Sequence, residues 1–264
     1  MLVTSIVLSR MQYTRRGSMS WTNRSWEQED TLYAPKRKVS NRGSQKRPHV
    51  IGAYYSPKML REVEYESLGE YLFYSLLELD PQTVRYYVQP VEVPIPGTNK
   101  HGKPSFWPHV SDVLVFREHH VPHLFQVKES TTEVSNAKQI VDEYCKIYAF
   151  EKGWQYSVVY PKSIPVVVAR NAKFLMGFLK ARKGFDALIP ELISRLTFLH
   201  SSKIHELARG FQGNMHPLQV LPIIDHLTAN GTFAININEE LNQFSEVMIR
   251  SEQSVYTHYL TWGE

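Results

Sequence analysis

The segment VSDVLVFREHHVPHLFQVK, residues 110–128, decides the reading of the fold. It holds two apolar, β-branched runs, VSDVLVFR and HLFQVK, separated by a short polar turn, and so predicts two antiparallel strands. Gln126 and Lys128 are two apart and project from one face of the second strand. With the turn centred near His119 and His120, antiparallel pairing sets Asp112 opposite Gln126 and Lys128. Val113, Val115, Phe125 and Val127 are expected to pack the sheet. A carboxylate and an ammonium among such side chains are costly if buried alone, so each needs the other or a metal.

Upstream, residues 65–79 predict a helix. Leu68, Leu72, Leu76 and Leu79 recur at helical spacing, and Asp80-Pro81 ends the run. Residues 84–93 predict a strand and residues 97–108 a loop. Downstream, Ser135 or Asn136 caps a helix reaching to about residue 152, and residues 155–160 form the next strand. A strand, helix, strand order implies a right-handed crossover and a mixed α/β sheet. After about residue 165 the pattern is mostly helical, over 172–182, 185–199, 203–209 and 217–229. The turn Asn230-Gly231-Thr232 and an apolar β segment at 233–237 follow. Three helices, a turn and a short β pair predict a winged-helix-like domain. The expected organisation is a basic, flexible arm over 1–45, a catalytic α/β domain over 46–165, a winged-helix-like domain over 166–250 and a tail over 251–264.

The 264 residues are 42% hydrophobic and 12% aromatic, which describes a folded protein with a sizeable core. No stretch offers the roughly 20 apolar residues of a membrane span. No basic residue precedes the apolar opening 2–8 and no small-residue cleavage pattern follows it, so no secretory signal is read. The single cysteine, Cys145, excludes an intramolecular disulfide framework and fits a reducing cytoplasm. Charge is uneven. Residues 1–50 carry ten basic residues against three acidic, a net +7; the remainder carries 20 against 23, a net −3. Basic residues interspersed with Tyr13, Trp21, Trp26 and Tyr33 suit a nucleic-acid phosphate backbone.

Phosphodiester hydrolysis calls for hard oxygen ligands around Mg²⁺. Asp112 supplies a carboxylate, Gln126 a carbonyl oxygen, and Lys128 a cation to steady the attacking water and the developing charge. Glu70, on the preceding helix, offers a second carboxylate. Each has a structural alternative. Ser67-Leu68-Gly69-Glu70 fits a capping box, and Glu66 is a rival ligand. Asp112 and Lys128 make a possible ion pair, and Gln126 a satisfied polar residue at a sheet edge. His101, His109, His119, His120 and His123 lack the paired spacing of a zinc site. Cys145 lies on an apolar helical face, as buried thiols do. No nucleotide-binding or serine-esterase motif is present.

The run ESLGEYLFYSLLELDPQTVRYYVQPVEV (66–93), followed by SDVLVF and FQVK, resembles the TnsA endonucleases of heteromeric transposons. The resemblance spans roughly residues 45–240. In that family the metal-binding glutamate lies eight residues before the glutamate of the "DP" turn; here the turn glutamate is Glu78, which selects Glu70 over Glu66. The strand aspartate falls on Asp112, the glutamine on Gln126 and the lysine on Lys128. Ser111 stands where many relatives carry proline, and Gly69 where they carry a bulkier residue. The resemblance implies a restriction-endonuclease-like core binding Mg²⁺, with Mn²⁺ as a substitute, through Glu70, Asp112 and Gln126. It implies cleavage of the non-transferred (5′) strands at transposon ends, beside a DDE transposase (TnsB-like) and a regulatory ATPase (TnsC-like), in the bacterial cytoplasm at the nucleoid. HLTANGTFAINI (226–237) looks like the family's closing turn and wing. A stand-alone nuclease of the same fold and a catalytically silent DNA-binding adaptor are the alternatives.

Overall fold

The computed structural model describes residues 20–37, 50–129, 136–213, 215–250 and 256–260. It is a mixed α/β protein. Among the described residues no helix is long and apolar enough to cross a membrane. Contacts divide the chain into two compact units, one holding the residues up to Glu70 and Gln82–Pro161, the other Tyr71–Pro81 and Lys162–Thr261.

The first unit is built on a four-stranded mixed sheet in the order β3 (Thr83–Val88), β6 (Val113–Arg117), β7 (His123–Val127), β8 (Gln155–Val159). β6 runs antiparallel to both β3 and β7, and β7 parallel to β8. All five residues of β6 are buried, which is why VLVFR is a nearly continuous apolar run rather than an alternating one. The expected crossover helix is α3 (Asn136–Glu151), which turns Cys145 and Ala149 inward. Ser135, the alternative cap, lies outside the described residues. The expected helix at 65–79 starts later, as α2 (Leu68–Leu79).

Two hairpins flank this sheet. β1 (Gly52–Ser56) pairs with β2 (Arg61–Tyr65), neither of which was expected. The predicted loop at 97–108 is instead part of a ribbon, β4 (Glu92–Thr98) against β5 (Pro104–Val110). Its four prolines and its Gly97 read as punctuation in one dimension. In the ribbon Pro94 pairs with Pro108, and Pro96 with Phe106. Prolines are tolerated in a two-stranded ribbon because each strand has an edge that needs no partner.

Residues 20–37 also depart from expectation, since they form structure rather than an arm. Trp21 and Tyr33 are buried, and α1 (Glu27–Leu32) lies between them. Trp21, Trp26, Tyr33 and Tyr87 surround Phe116 of β6, with ring centroids 5.0, 5.2, 6.2 and 5.9 Å away. Asp30 takes both nitrogens of the Arg85 fork, at 2.6 and 3.0 Å, and the Tyr87 hydroxyl at 2.9 Å. Arg24 lies over the Trp26 ring and pairs with Glu29, while Arg37 pairs with Glu66. These aromatics serve the core, and two of the arm's cations are already ion-paired. Tyr13, Arg10, Arg15, Arg16, Lys38, Arg42, Lys46 and Arg47 lie outside the described residues.

The second unit runs α4 (Val166–Met176), α5 (Ile189–Leu199), β9 (Ser201–Lys203), α6 (Ile204–Arg209), α7 (Pro217–Ala229), β10 (Phe233–Ile235) and β11 (Glu246–Ile249). A short α8 (Thr257–Leu260) follows. The strands form an antiparallel sheet in the order β10, β11, β9. Asn171 of α4 is buried and clasps the loop after β10. Its amide donates to the carbonyls of Ile237 and Glu239 and accepts from the Leu241 N–H. Gly231 turns the chain into β10 with φ +77°, and a Cβ there would stand 3.0 Å from Pro81.

Replacing Phe116 by alanine leaves four aromatic rings without their common partner and costs about 3–5 kcal/mol. Urea denaturation followed by tryptophan fluorescence reads that loss directly, because Trp21 and Trp26 report on the same cluster.

Candidate functional site

β5 ends at Val110 and β6 begins at Val113, so Ser111 and Asp112 are the step from ribbon to mixed sheet. Both are buried. The step is held by the β3–β4 connection: the Gln89 N–H donates to the Asp112 carbonyl at 2.8 Å, and Ser111 N–H to the Val91 carbonyl at 3.3 Å. Gln89 adopts φ +49°, a left-handed conformation that a non-glycine residue holds only when its surroundings impose it.

From this step the Asp112 side chain reaches the end of β7. Its Oδ2 accepts the Val127 backbone N–H at 2.6 Å and the Gln126 amide N–H. The pairing of Val113 with Phe125 predicts this neighbour, since one residue further along each strand brings Asp112 beside Gln126. Burial first, and the nearby Glu70 carboxylate second, push the Asp112 carboxyl up to about 8. Glu70, at the start of α2, is raised as well, first by burial. Glu70 therefore opposes the ionisation of Asp112 in a partly dry site.

Glu70 also performs the local role that its spacing from Ser67 allows. Its N–H donates to Ser67 Oγ at 3.1 Å, and its Oε2 accepts the Glu66 N–H at 2.7 Å, one residue earlier than the standard capping box. Glu66 is drawn away to Arg37 at 2.5 Å. Of the two rival glutamates, Glu70 is the one whose charge most strongly opposes that of Asp112.

Gln126 bridges two groups. Its amide nitrogen faces Asp112, and its Oε1 lies 2.9 Å from His109 Nε2. An amide oxygen only accepts, so His109 donates through Nε2–H. Along the chain His109 has no second histidine at a ligand spacing. The ribbon register, which pairs His109 with Val93, is what delivers it here. Lys128 follows β7, its N–H bonded to the Val159 carbonyl. Its ammonium does not pair with Asp112. It pairs with Asp142 of α3 at 2.5 Å, and Asp142 also accepts the Tyr156 hydroxyl at 2.9 Å. An acid on the crossover helix had no short-range signal linking it to Lys128.

The structure thus brings Asp112, Gln126 and Glu70 together, with Lys128 beside them on its own acid. Among the described residues, no group of three or more His, Cys, Asp and Glu side chains is placed to hold a metal ion. A set of two carboxylates and one amide carbonyl lies outside that description. Its chemistry fits a divalent cation in one respect: buried Asp112 and half-buried Glu70 are both raised by desolvation, Glu70 opposes the ionisation of Asp112, and a cation between them would relieve that opposition. The Gln126 carbonyl joins such a cation only after its amide turns over, with Nε2 then offered to His109.

No family model matches the chain, and no curated protein matches it.

The raised Asp112 carboxyl has a consequence for folding. Between about pH 4 and pH 8 the folded chain retains a proton that the unfolded chain has released, so stability falls as pH rises through that window. Asp112→Asn removes this loss while keeping an oxygen for the Val127 N–H. Denaturation without divalent cations is expected to show wild type and variant equal near pH 4, with the variant increasingly the more stable up to pH 8. Parallel curves would refute the raised carboxyl.

Proposed function

We propose that this chain is a Mg²⁺-dependent DNA endonuclease of the TnsA type, cutting the non-transferred strands at transposon ends. The observation that carries the reading is Asp112 held against Gln126 and facing Glu70, each carboxyl raised, with Lys128 anchored two residues on. A restriction-endonuclease-like core accounts for the arrangement: an aspartate opening one strand, Gln-x-Lys closing its antiparallel neighbour, and a helical crossover to a parallel strand. Mg²⁺ held by Asp112, Glu70 and the Gln126 carbonyl would supply Lewis acidity at the phosphate and a hydroxide-like water, with Mn²⁺ able to replace it.

The protein's own groups do the positioning. Val127 N–H holds one Asp112 oxygen and leaves the other for a ligand. Asp142 accepts from the Lys128 ammonium through one oxygen and from the Tyr156 hydroxyl through the other, which limits the reach of the ammonium. A fixed cation of this kind stabilises negative charge developing on the phosphate without reorganising.

After α4, the second unit runs helix, strand, two helices and two strands with β11 between β9 and β10, an order that supports a winged-helix reading. Its α7 stands where a DNA-reading helix would lie, yet PLQVLPIIDHLTA contains no lysine or arginine. Phosphate contact favours cations, so this helix is better suited to a protein partner, such as the transposase or the regulatory ATPase, than to base readout. The bacterial cytoplasm, at the nucleoid, is the proposed setting.

A silent DNA-binding adaptor is the competing reading, and it draws on Glu70 and Gln126 being engaged by Glu66 and His109. Transposition assays separate the two. With Asp112→Ala, uncut second strands should turn simple insertions into cointegrates carrying the whole donor; unchanged products would favour the adaptor.

Lys128→Ala should keep Mg²⁺ affinity in calorimetry while cleavage falls about 100-fold or more. Loss of metal affinity in that variant would contradict the role assigned to Lys128.

A further inference from the structure

The β4–β5 ribbon does more than deliver His109. Between Glu92 and Asp112 the chain has no acidic residue, while Lys100, His101 and Lys103 cluster at the tip, all exposed. The tip is preformed: Asn99 Oδ1 accepts the N–H groups of His101 and Lys103, and Asn99 N–H donates to the Lys103 carbonyl. Directly paired residues share a face. One face of the ribbon therefore carries Val93, Ile95 and Gly97 beside His109, Trp107 and Ser105.

Along that face burial gives way to exposure. Val93 and Ile95 are buried, whereas Trp107 is 46% exposed. Its indole lies across the bare backbone of Gly97, where a Cβ would stand 3.3 Å from Cδ1. It meets His109 edge to face at 6.1 Å, and His109 holds Gln126. An open aromatic ring is thus joined by one intermediate side chain to the residue that touches Asp112. Phe106, 71% exposed, occupies the opposite face.

We propose that this ribbon is the arm on which the DNA substrate lies, with Lys100 and Lys103 on phosphates and Trp107 stacked on a base freed from the duplex next to the cleaved bond. This rests on the endonuclease reading for its substrate and deepens it by naming the form of DNA recognised. Charge separates DNA from a protein partner here. No acidic residue lies between Glu92 and Asp112, so the charged side chains of the ribbon beyond its base are cations, which suits a polyanion better than an apolar protein face. Stacking on an aromatic ring tolerates any base, so the contact selects an unpaired nucleotide rather than a sequence.

The test uses the full chain in EDTA, so that cleavage is not the readout. Fluorescence anisotropy compares a plain duplex with one carrying a single unpaired 2-aminopurine. Wild type should prefer the unpaired substrate and quench its fluorescence on binding. Trp107→Ala should lose the quenching and weaken that complex about 5- to 100-fold, with Trp107→Phe recovering most of the affinity. Lys100→Ala with Lys103→Ala should weaken both complexes and lower the salt dependence by about two phosphate contacts. Thermal melts confirm that each variant is folded. Equal binding by wild type and Trp107→Ala would overturn the stacking role. Unchanged affinity and salt slope in the lysine variant would overturn the arm. Should Asp112→Ala leave transposition products unchanged while the ribbon variants bind weakly, the endonuclease reading falls and the DNA-binding arm stands.

Discussion

The Asp112 carboxylate is the constraint from which the site extends. It sits where the ribbon hands the chain to the mixed sheet, and its bond to the Val127 N–H ties the opening of β6 to the end of β7. A backbone amide at a strand end needs an acceptor, and a buried carboxylate needs donors, so each satisfies the other. The same oxygen takes the Gln126 amide, Gln126 takes His109, and His109 leads to the ribbon. A single desolvated acid thus organises three elements. The cost appears as a carboxyl raised to about 8, the kind of local strain that functional sites retain.

Electrostatics around this acid follow a pattern. Arg85 is committed to Asp30, Arg37 to Glu66 and Lys128 to Asp142. Each of these acids is ion-paired, whereas among the described residues Asp112 and Glu70 are held mainly by neutral donors, with Arg37 drawing both down less than burial raises them. Hydrogen bonds from neutral donors offset part of the desolvation of a carboxylate and leave its charge in place. Burial opposes the negative charge that Asp112 carries once ionised, and Glu70 opposes it further. Lys128, drawn to α3, is kept from neutralising it.

The aromatic cluster on Phe116 shows the same economy in the core. Residues rich in tryptophan and arginine looked like a nucleic-acid arm, because composition records which side chains are present and not what they touch. Once α1 lies on the sheet, Trp21 and Tyr33 cover Phe116, and the fork of Arg85 is closed by Asp30. Arginine beside tryptophan serves such a core as readily as it serves a phosphate. On the ribbon, in a segment that reads as a loop, Phe106 and Trp107 are exposed instead.

The sequence by itself determined the paired strands at Asp112 and at Gln126 and Lys128, the crossover helix, and the convergence of Asp112 with Gln126. Those features rest on period and short-range register, which local patterning encodes. It also placed Glu70 on a helix, although spacing left Glu66 and a capping role open. Only the tertiary structure decided that Glu70 caps its helix while opposing Asp112, that Lys128 answers to Asp142, and that His109 touches Gln126. Those pairings join residues 14, 17 and 42 positions apart, on elements whose approach is set by packing. The ribbon was hidden for a related reason. Its prolines and glycine carry turn signals along the chain, and it is the partner strand that makes them compatible with β structure.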